Sequence, residues 1–381
     1  MFPKNTPFCK AATLLAGFAA LLVSNAGCSS SPEATPESTD LPPPPAASYQ
    51  HGVNISHYLS QVAENRFADP SRFSREDMAW IADRGYDHIR LPIDGPNFLN
   101  GDGSVREERL AEIDKVLRWA RQEGICVILD MHQLPGTAFA GDLDASLFTN
   151  PELQRVALDL WRVLADRFQG IGPELRFEIL NEPVAEDASL VTAFYARALE
   201  VIRAVSPDRV VLVCSNRWGR FETVDALSPL LDDPNVVVAV HYYDPHIFTH
   251  QGASWVGWTR SDFPRIHFPG IVPDISEYAR DDFYGQGQIG DKLTIARVEE
   301  EFATLVQWAR EKNVELHLGE FGVYKTADEE SMRTWYHTVL DQCRTYGIGW
   351  AVWDYKGGFA VRDYETGQPT LVQEVIDDYL P

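Results

Sequence analysis

Phe177-Glu178-Ile179-Leu180-Asn181-Glu182-Pro183 is an apolar run that ends on an Asn-Glu pair and is stopped at once by proline. It reads as a buried strand, since proline has no N–H for a ladder and disfavours helix in the residue before it. A second run of the same kind, Val314-Glu315-Leu316-His317-Leu318-Gly319-Glu320-Phe321-Gly322, closes on Glu320. Outward from these two, short apolar segments alternate with longer amphipathic ones from residue 52 onward. Strands are predicted over 52–56, 88–93, 126–132, 175–181, 210–215, 236–243, 314–320 and 348–354. Between them Val191, Phe194, Tyr195, Ala198, Leu199 and Ile202 recur at helical spacing. Ser74, with Asp77 in the first turn after it, has the form of an N-terminal capping pair. Strand and helix in steady alternation predict an α/β protein with a parallel sheet, and eight strands close a (β/α)8 TIM barrel.

In such a barrel every strand opens its C-terminal end on one face, so residues distant in sequence converge there. Glycoside hydrolysis needs two carboxyls in that position, one to protonate the leaving oxygen and one to stabilise or attack the anomeric carbon. A lone strand-end glutamate is usually only solvated, but Glu182 and Glu320 have informative neighbours. These are Arg90 in Ile89-Arg90-Leu91-Pro92, His132 in Leu129-Asp130-Met131-His132, Asn181 beside Glu182, His241-Tyr242-Tyr243, and Trp353 in Trp350-Ala351-Val352-Trp353-Asp354. With these motifs in this order, the chain resembles glycoside hydrolase family 5, the cellulase family of (β/α)8 barrels, from about His51 to its C-terminus. The resemblance implies a retaining double displacement through a covalent glycosyl-enzyme, with Glu182 as acid/base and Glu320 as nucleophile. It also implies Arg90 and Tyr243 as partners of Glu320, Asn181 as the contact to the sugar 2-hydroxyl, and Trp353 as the floor under the cleaved ring. His132 and His241 would bind sugar hydroxyls or tune the acid. Glu178 lies on the strand face of Glu182 but about 13 Å deeper at roughly 3.3 Å per residue, and reads, like Asp130, as an interior carboxylate supporting the site.

The N-terminus stands apart from the barrel. Lys4 and Lys10 precede an apolar stretch over 11–23 and small residues over 24–31, the layout of a cleaved export signal, too short for a membrane-spanning helix. Ala26-Gly27-Cys28-Ser29-Ser30 resembles a bacterial lipoprotein signal, although Asn25 replaces the aliphatic residue usual before such a cysteine. The expected organisation is a signal over 1–28, with Cys28 as the lipidation residue, a Ser/Pro-rich disordered tether over 29–48, and the catalytic barrel over 49–381. The product would be an exported protein, anchored in the cell envelope or secreted, and monomeric. Cys126, Cys214 and Cys343 fall in predicted strands and a helix, and without a Cys-x-x-Cys pair they read as buried thiols. His246 and His250 are four apart but lie beside Pro245 with no helical run, so no metal site and no cofactor is expected.

A net charge of −23 argues against nucleic acid and anionic membrane surfaces and is compatible with a neutral polysaccharide. The chain's 10 tryptophans and 14 tyrosines fit sugar-ring stacking as well as packing. From Asp244 to about Asp291 the sequence is aperiodic and carries Trp255, Trp258, Phe263, Phe268 and Tyr278 among glycines and prolines. A loop of that length after a barrel strand is expected to wall the substrate cleft, with Trp255 or Trp258 on a sugar. Within family 5, Met131-His132-Gln133-Leu134-Pro135-Gly136 resembles the exo-β-1,3-glucanase branch, whereas His250-Gln251-Gly252-Ala253-Ser254-Trp255 resembles bacterial endoglucanases. An endo-β-1,4-glucanase is the favoured expectation, with β-1,3-glucanase, β-mannanase and xyloglucanase as alternatives. A non-catalytic carbohydrate-binding lipoprotein would be expected to lack Glu182 or Glu320, and a metal-dependent hydrolase would want His-x-His or clustered strand-end carboxylates.

Overall fold

The computed structural model describes residues 42–137, 144–280 and 283–381. Eight parallel strands close into a barrel. In chain order they are β1 (His51–Asn54), β2 (His88–Asp94), β3 (Cys126–Gln133) and β4 (Leu175–Glu178), then β5 (Val211–Cys214), β6 (Val236–Tyr242), β7 (Glu315–Phe321) and β8 (Gly349–Val352). Each predicted strand overlaps one of them, with ends that differ by at most three residues. Closure runs through β1 and β8, where His51 pairs with Trp350 and Val53 with Val352.

The outer layer is α1 (Arg75–Asp83), α2 (Glu107–Glu123), α3 (Pro151–Phe168), α4 (Ala188–Arg203), α5 (Ile295–Lys312), α6 (Glu329–Tyr346) and the short α7 (Leu371–Ile376). A 3-10 helix, Phe221–Leu230, with Pro229 inside it, takes the helical place between β5 and β6. The capping pair forms: Ser74 accepts from the Asp77 amide and the Asp77 carboxylate accepts from the Ser74 amide. In α4 the buried face is Val191, Phe194, Tyr195, Ala198, Leu199 and Ile202, the stripe given by the periodicity. The three cysteines described are buried free thiols.

The opening stretch stays strand-like beyond Glu178. Ile179 N donates to Leu212 O at 3.1 Å and Asn181 N to Met131 O at 2.9 Å, so both neighbouring strands still hold it. Its carbonyls find side chains: Trp161 Nε1 donates to Ile179 O at 3.1 Å, and Tyr195 Oη to Leu180 O at 3.2 Å. The segment read as tether meets the barrel before residue 49. Arg121 Nε donates to Pro42 O at 2.8 Å and Ser48 Oγ to Asp87 Oδ2 at 2.6 Å. Cys28 and the expected export signal lie outside the described residues.

The excursion after β6 has more order than its sequence suggests. It holds a helical turn (His246–Thr249), a 3-10 turn (Ser254–Val256) and a two-stranded antiparallel ladder of Gly270–Ile271 on Lys292–Leu293. His246 and His250 do lie on one turn, rings stacked at 3.9 Å, because a single turn following Pro245 brings residues four apart together. Trp258 is corrected here as a substrate contact. It is buried, with its ring 4.5 Å from Phe263 and 5.7 Å from Phe283, and it packs the excursion on itself.

Candidate active site

Arg90, fully buried on β2, organises the barrel mouth. Its Nε and Nη2 donate to the two oxygens of Glu178 at 2.7 and 3.0 Å. Nη2 also reaches Asn181 Oδ1 at 2.8 Å and lies 3.0 Å from Asp130 Oδ2. Nη1 donates to Asn54 Oδ1 at 2.9 Å and to Glu320 Oε1 at 2.8 Å. One guanidinium therefore faces three carboxyls, and full ionisation of all three would leave buried charge uncompensated. Burial pushes Asp130 up to about 7, which relieves that excess by holding part of it protonated.

Glu320, on β7, accepts from Tyr243 Oη at 2.9 Å as well as from Arg90. Burial raises its pKa, while His241 and the Arg90 guanidinium oppose the rise. Glu182 follows the last strand residues in a left-handed backbone conformation, φ 31°, that turns its side chain into the cleft. Such a non-glycine conformation costs about 1–3 kcal/mol and persists where the surroundings over-determine it. About a quarter of the Glu182 side chain, 26%, remains open to solvent. Desolvation lifts its pKa to about 7 against the pull of His132 and Arg90. An oxygen of Glu182, one of Glu320 and a nitrogen of His241 lie within 4.8 Å of one another.

His241 joins the two carboxyls: its Nδ1 is 2.9 Å from Glu182 Oε1 and 3.8 Å from Glu320 Oε2. Burial lowers its pKa to about 4, so the ring is neutral at pH 7. With the proton on Nδ1 the ring donates to Glu182, and the buried Nε2, which finds no hydrogen-bond partner among the described residues, is a bare lone pair rather than a stranded N–H. Gly319 makes room for this ring, since a Cβ there would lie 3.0 Å from His241 Nε2. His132 Nδ1 is 2.8 Å from Asp130 Oδ2, and its ring stacks 5.5 Å from Trp353 at an interplanar angle of 5°. Asn181 has spent its Oδ1 on Arg90, so its NH2 is the end available to a ligand.

Asn181, Glu182, His132, His241, Tyr243, Glu320 and Trp353 thus converge as the sequence indicated on one cleft with a volume of about 1450 Å³, while Arg90, which bonds Asn181 and Glu320, and Glu178 are fully buried. Trp255 also lines it, 45% exposed. Sequence reading missed Gln61, whose Nε2 lies 3.2 Å from His132 Nε2 and whose own backbone N–H is held by Asp94 Oδ2 at 2.6 Å. It also missed Trp218, 46% exposed in the cleft on Asn216-Arg217-Trp218-Gly219. The available signal was position, directly after β5. Among the described residues two sets of side chains could geometrically hold a metal ion, Glu182–His241–Glu320 and Glu178–Cys214–His241. In both, carboxylate oxygens are already engaged by Arg90, Tyr243 or His241.

The family model described as "Cellulase (glycosyl hydrolase family 5)" matches residues 52–358. Endoglucanase C of Acetivibrio thermocellus is 29% identical over 316 residues, covering 81% of this chain and 92% of the relative. Cellodextrinase A of Ruminococcus flavefaciens is 30% identical over 305 residues, 78% of this chain and 82% of the relative. Among solved structures, a hyperthermophilic endo-beta-1,4-glucanase in complex with substrate superposes with a TM-score of 0.69 at 26% identity, covering 86% of this chain and 96% of that one. With the family motifs at the mouth of a closed (β/α)8 barrel and the match extending over most of the chain, this protein belongs to glycoside hydrolase family 5 and is a glycoside hydrolase.

Proposed function

We propose that this enzyme is a retaining endo-β-1,4-glucanase. The observation that carries the proposal is the pair of carboxyl oxygens on Glu182 and Glu320 within 4.8 Å of each other. Retaining enzymes hold their carboxyls about 5–5.5 Å apart, while inverting ones need ~6.5–9.5 Å to admit a water between them. Glu320 is the nucleophile, because the Arg90 guanidinium and the Tyr243 hydroxyl both favour its anion. Glu182 is the acid, because desolvation holds its proton to about 7.

In the first step Glu320 attacks the anomeric carbon as Glu182 gives its proton to the leaving oxygen. In the second, Glu182 removes a proton from the water that releases the sugar from Glu320. The Asn181 NH2 meets the 2-hydroxyl, a contact that strengthens as the ring flattens, and Trp353, held flat by His132, lies under that ring. Endo action and the β-1,4 linkage are supported by the endoglucanase relatives and by exposed Trp218 and Trp255, which line the same cleft as Trp353. We propose further that the enzyme is exported and held by a lipid on Cys28, given the signal-like layout before Ser29.

Hydrolysis of a panel of soluble β-glucans and mannans, with the first-formed anomer read by NMR, tests the proposal. A rapid fall in the viscosity of a β-1,4-glucan with β-anomeric products is expected. Preferential cleavage of β-1,3-glucan or mannan would replace the linkage assignment, and an α-anomeric product would overturn retention.

A further inference from the structure

We infer that the leaving-group side of the cleft carries a subsite for a sugar unit bearing a carboxylate, built from Trp218 and Arg217; this rests on the β-glucanase reading above. Arg217 and Trp218 are consecutive residues in the left-handed region, φ 55° and 63°, followed by Gly219 at φ 74°. Two non-glycine residues keep that conformation only where the surroundings enforce it, and here the turn is tied down on every side. Gly219 N donates to Ser215 O at 3.0 Å, and Ser215 Oγ to Arg220 O at 2.9 Å. The Asn216 amide bridges Ala185 through both ends at 2.9 Å, and Trp218 N reaches Pro183 O at 3.4 Å. The turn is therefore fixed to the segment that carries the acid Glu182, on the side where the leaving sugar must lie.

What the turn presents is an exposed indole and an exposed guanidinium side by side on the cleft. Among the described residues none accepts a hydrogen bond from the Arg217 side chain or forms an ion pair with it. The wall formed by the segments after β5 and β6 repeats the charge: Arg220, Arg280 and Arg297 line it, while its one non-catalytic carboxylate among the described residues is Asp244. Arg220 is held by Glu222 at 3.1 Å and Asp244 at 3.3 Å, Arg297 by Glu301 at 2.9 Å, and Arg280 is also engaged, which leaves Arg217 as the arm to a ligand. A concentration of arginines on this wall is unexpected in a chain of net charge −23. A neutral glucan needs only the indole face. A carboxylated one needs a local cation too, because the surrounding field repels it and a planar guanidinium binds carboxylate through two hydrogen bonds.

The carboxylate could hang from a glucose unit or replace its C6 hydroxymethyl group, and two probes separate these sources. The full chain and its Arg217→Ala and Arg217→Lys variants are assayed on carboxymethylcellulose, C6-oxidised cellulose and neutral hydroxyethylcellulose at low and high salt. The ratio of kcat/KM on carboxylated to neutral polymer is expected to fall about tenfold in Arg217→Ala, as loss of one charge-assisted contact implies, to recover partly in Arg217→Lys, and to shrink with salt in the parent enzyme. The probe showing the larger fall identifies the source. A ratio unchanged by both substitution and salt overturns the inference. Calorimetric binding of C6-oxidised and carboxymethylated oligosaccharides to Glu320→Gln reads the subsite without turnover. Retained binding there with no hydrolysis of any β-glucan by the parent would fault the activity and leave the subsite standing, whereas no difference in binding between Glu320→Gln and Glu320→Gln/Arg217→Ala overturns the subsite itself.

Discussion

Removing the Glu182 carboxyl should separate the two chemical steps. Proton transfer by a positioned acid is typically worth ~10²–10⁴-fold, which is about 2.7–5.4 kcal/mol of barrier. Glu182→Ala should show that whole loss on cellotetraose, whose sugar leaving group needs the proton. Because the Glu182 pKa is about 7, only about half of the parent enzyme is in the acid form at pH 7, so the comparison belongs near pH 5.5, where that understatement disappears. On 2,4-dinitrophenyl cellobioside the leaving group departs unprotonated, so glycosylation of Glu320 should survive and deglycosylation should become limiting. The missing carboxyl leaves room for a small anion close to Glu320, whose oxygen lies within 4.8 Å of the one removed. Azide should then speed turnover of the variant, giving β-cellobiosyl azide, and mass spectrometry should find the trapped sugar on Glu320. A label on Glu182, an α-azide, or equal losses with both leaving groups would refute the assignment of roles.

The kcat/KM profile should fall as pH rises through about 7, since Glu182 must be protonated and desolvation sets its pKa there; on the acid side it should fall above the ordinary glutamate range, because burial raises Glu320, which must be ionised. A profile flat from pH 6 to 9 would contradict this. Gly319→Ala places a Cβ 3.0 Å from His241 Nε2, and displacing the ring from Glu182 should lower kcat on the order of tenfold with the melting temperature nearly unchanged; steady-state kinetics and calorimetry check both. Trp218→Ala and Trp255→Ala should each raise KM for long glucans about fivefold, the equivalent of ~1 kcal/mol of stacking, whereas Trp258→Ala empties a packed position and should cost about 3–5 kcal/mol of stability, seen as a lowered unfolding midpoint. Cys28→Ala should move the protein from the membrane fraction to the soluble exported one, and unchanged fractionation would count against the lipid anchor.

Periodicity and strand-end motifs were enough to place eight strands and the paired glutamates, and the family resemblance implied Arg90 and Tyr243 beside Glu320, where they are found. They sufficed because a strand's alternation fixes which face each residue occupies, and parallel closure sends every strand's last residues to one mouth. The connections followed no such rule. Trp255 and Trp258 sit three residues apart in the same aperiodic segment, yet one lines the cleft and the other is buried between Phe263 and Phe283, a choice made by how that excursion folds back on itself. Trp218 reaches the cleft only because a left-handed turn at Arg217 is pinned to Ala185 and Pro183 from another connection. Likewise, the histidine Nδ1 shared by Glu182 and Glu320, and one guanidinium set among three carboxyls, join residues from different strands. Sequence alone determined the barrel and the chemistry at its strand ends, where local pattern sets direction. Tertiary structure decided distances, proton affinities and the cleft's walls, because each depends on desolvation and contacts made by segments far apart in the chain.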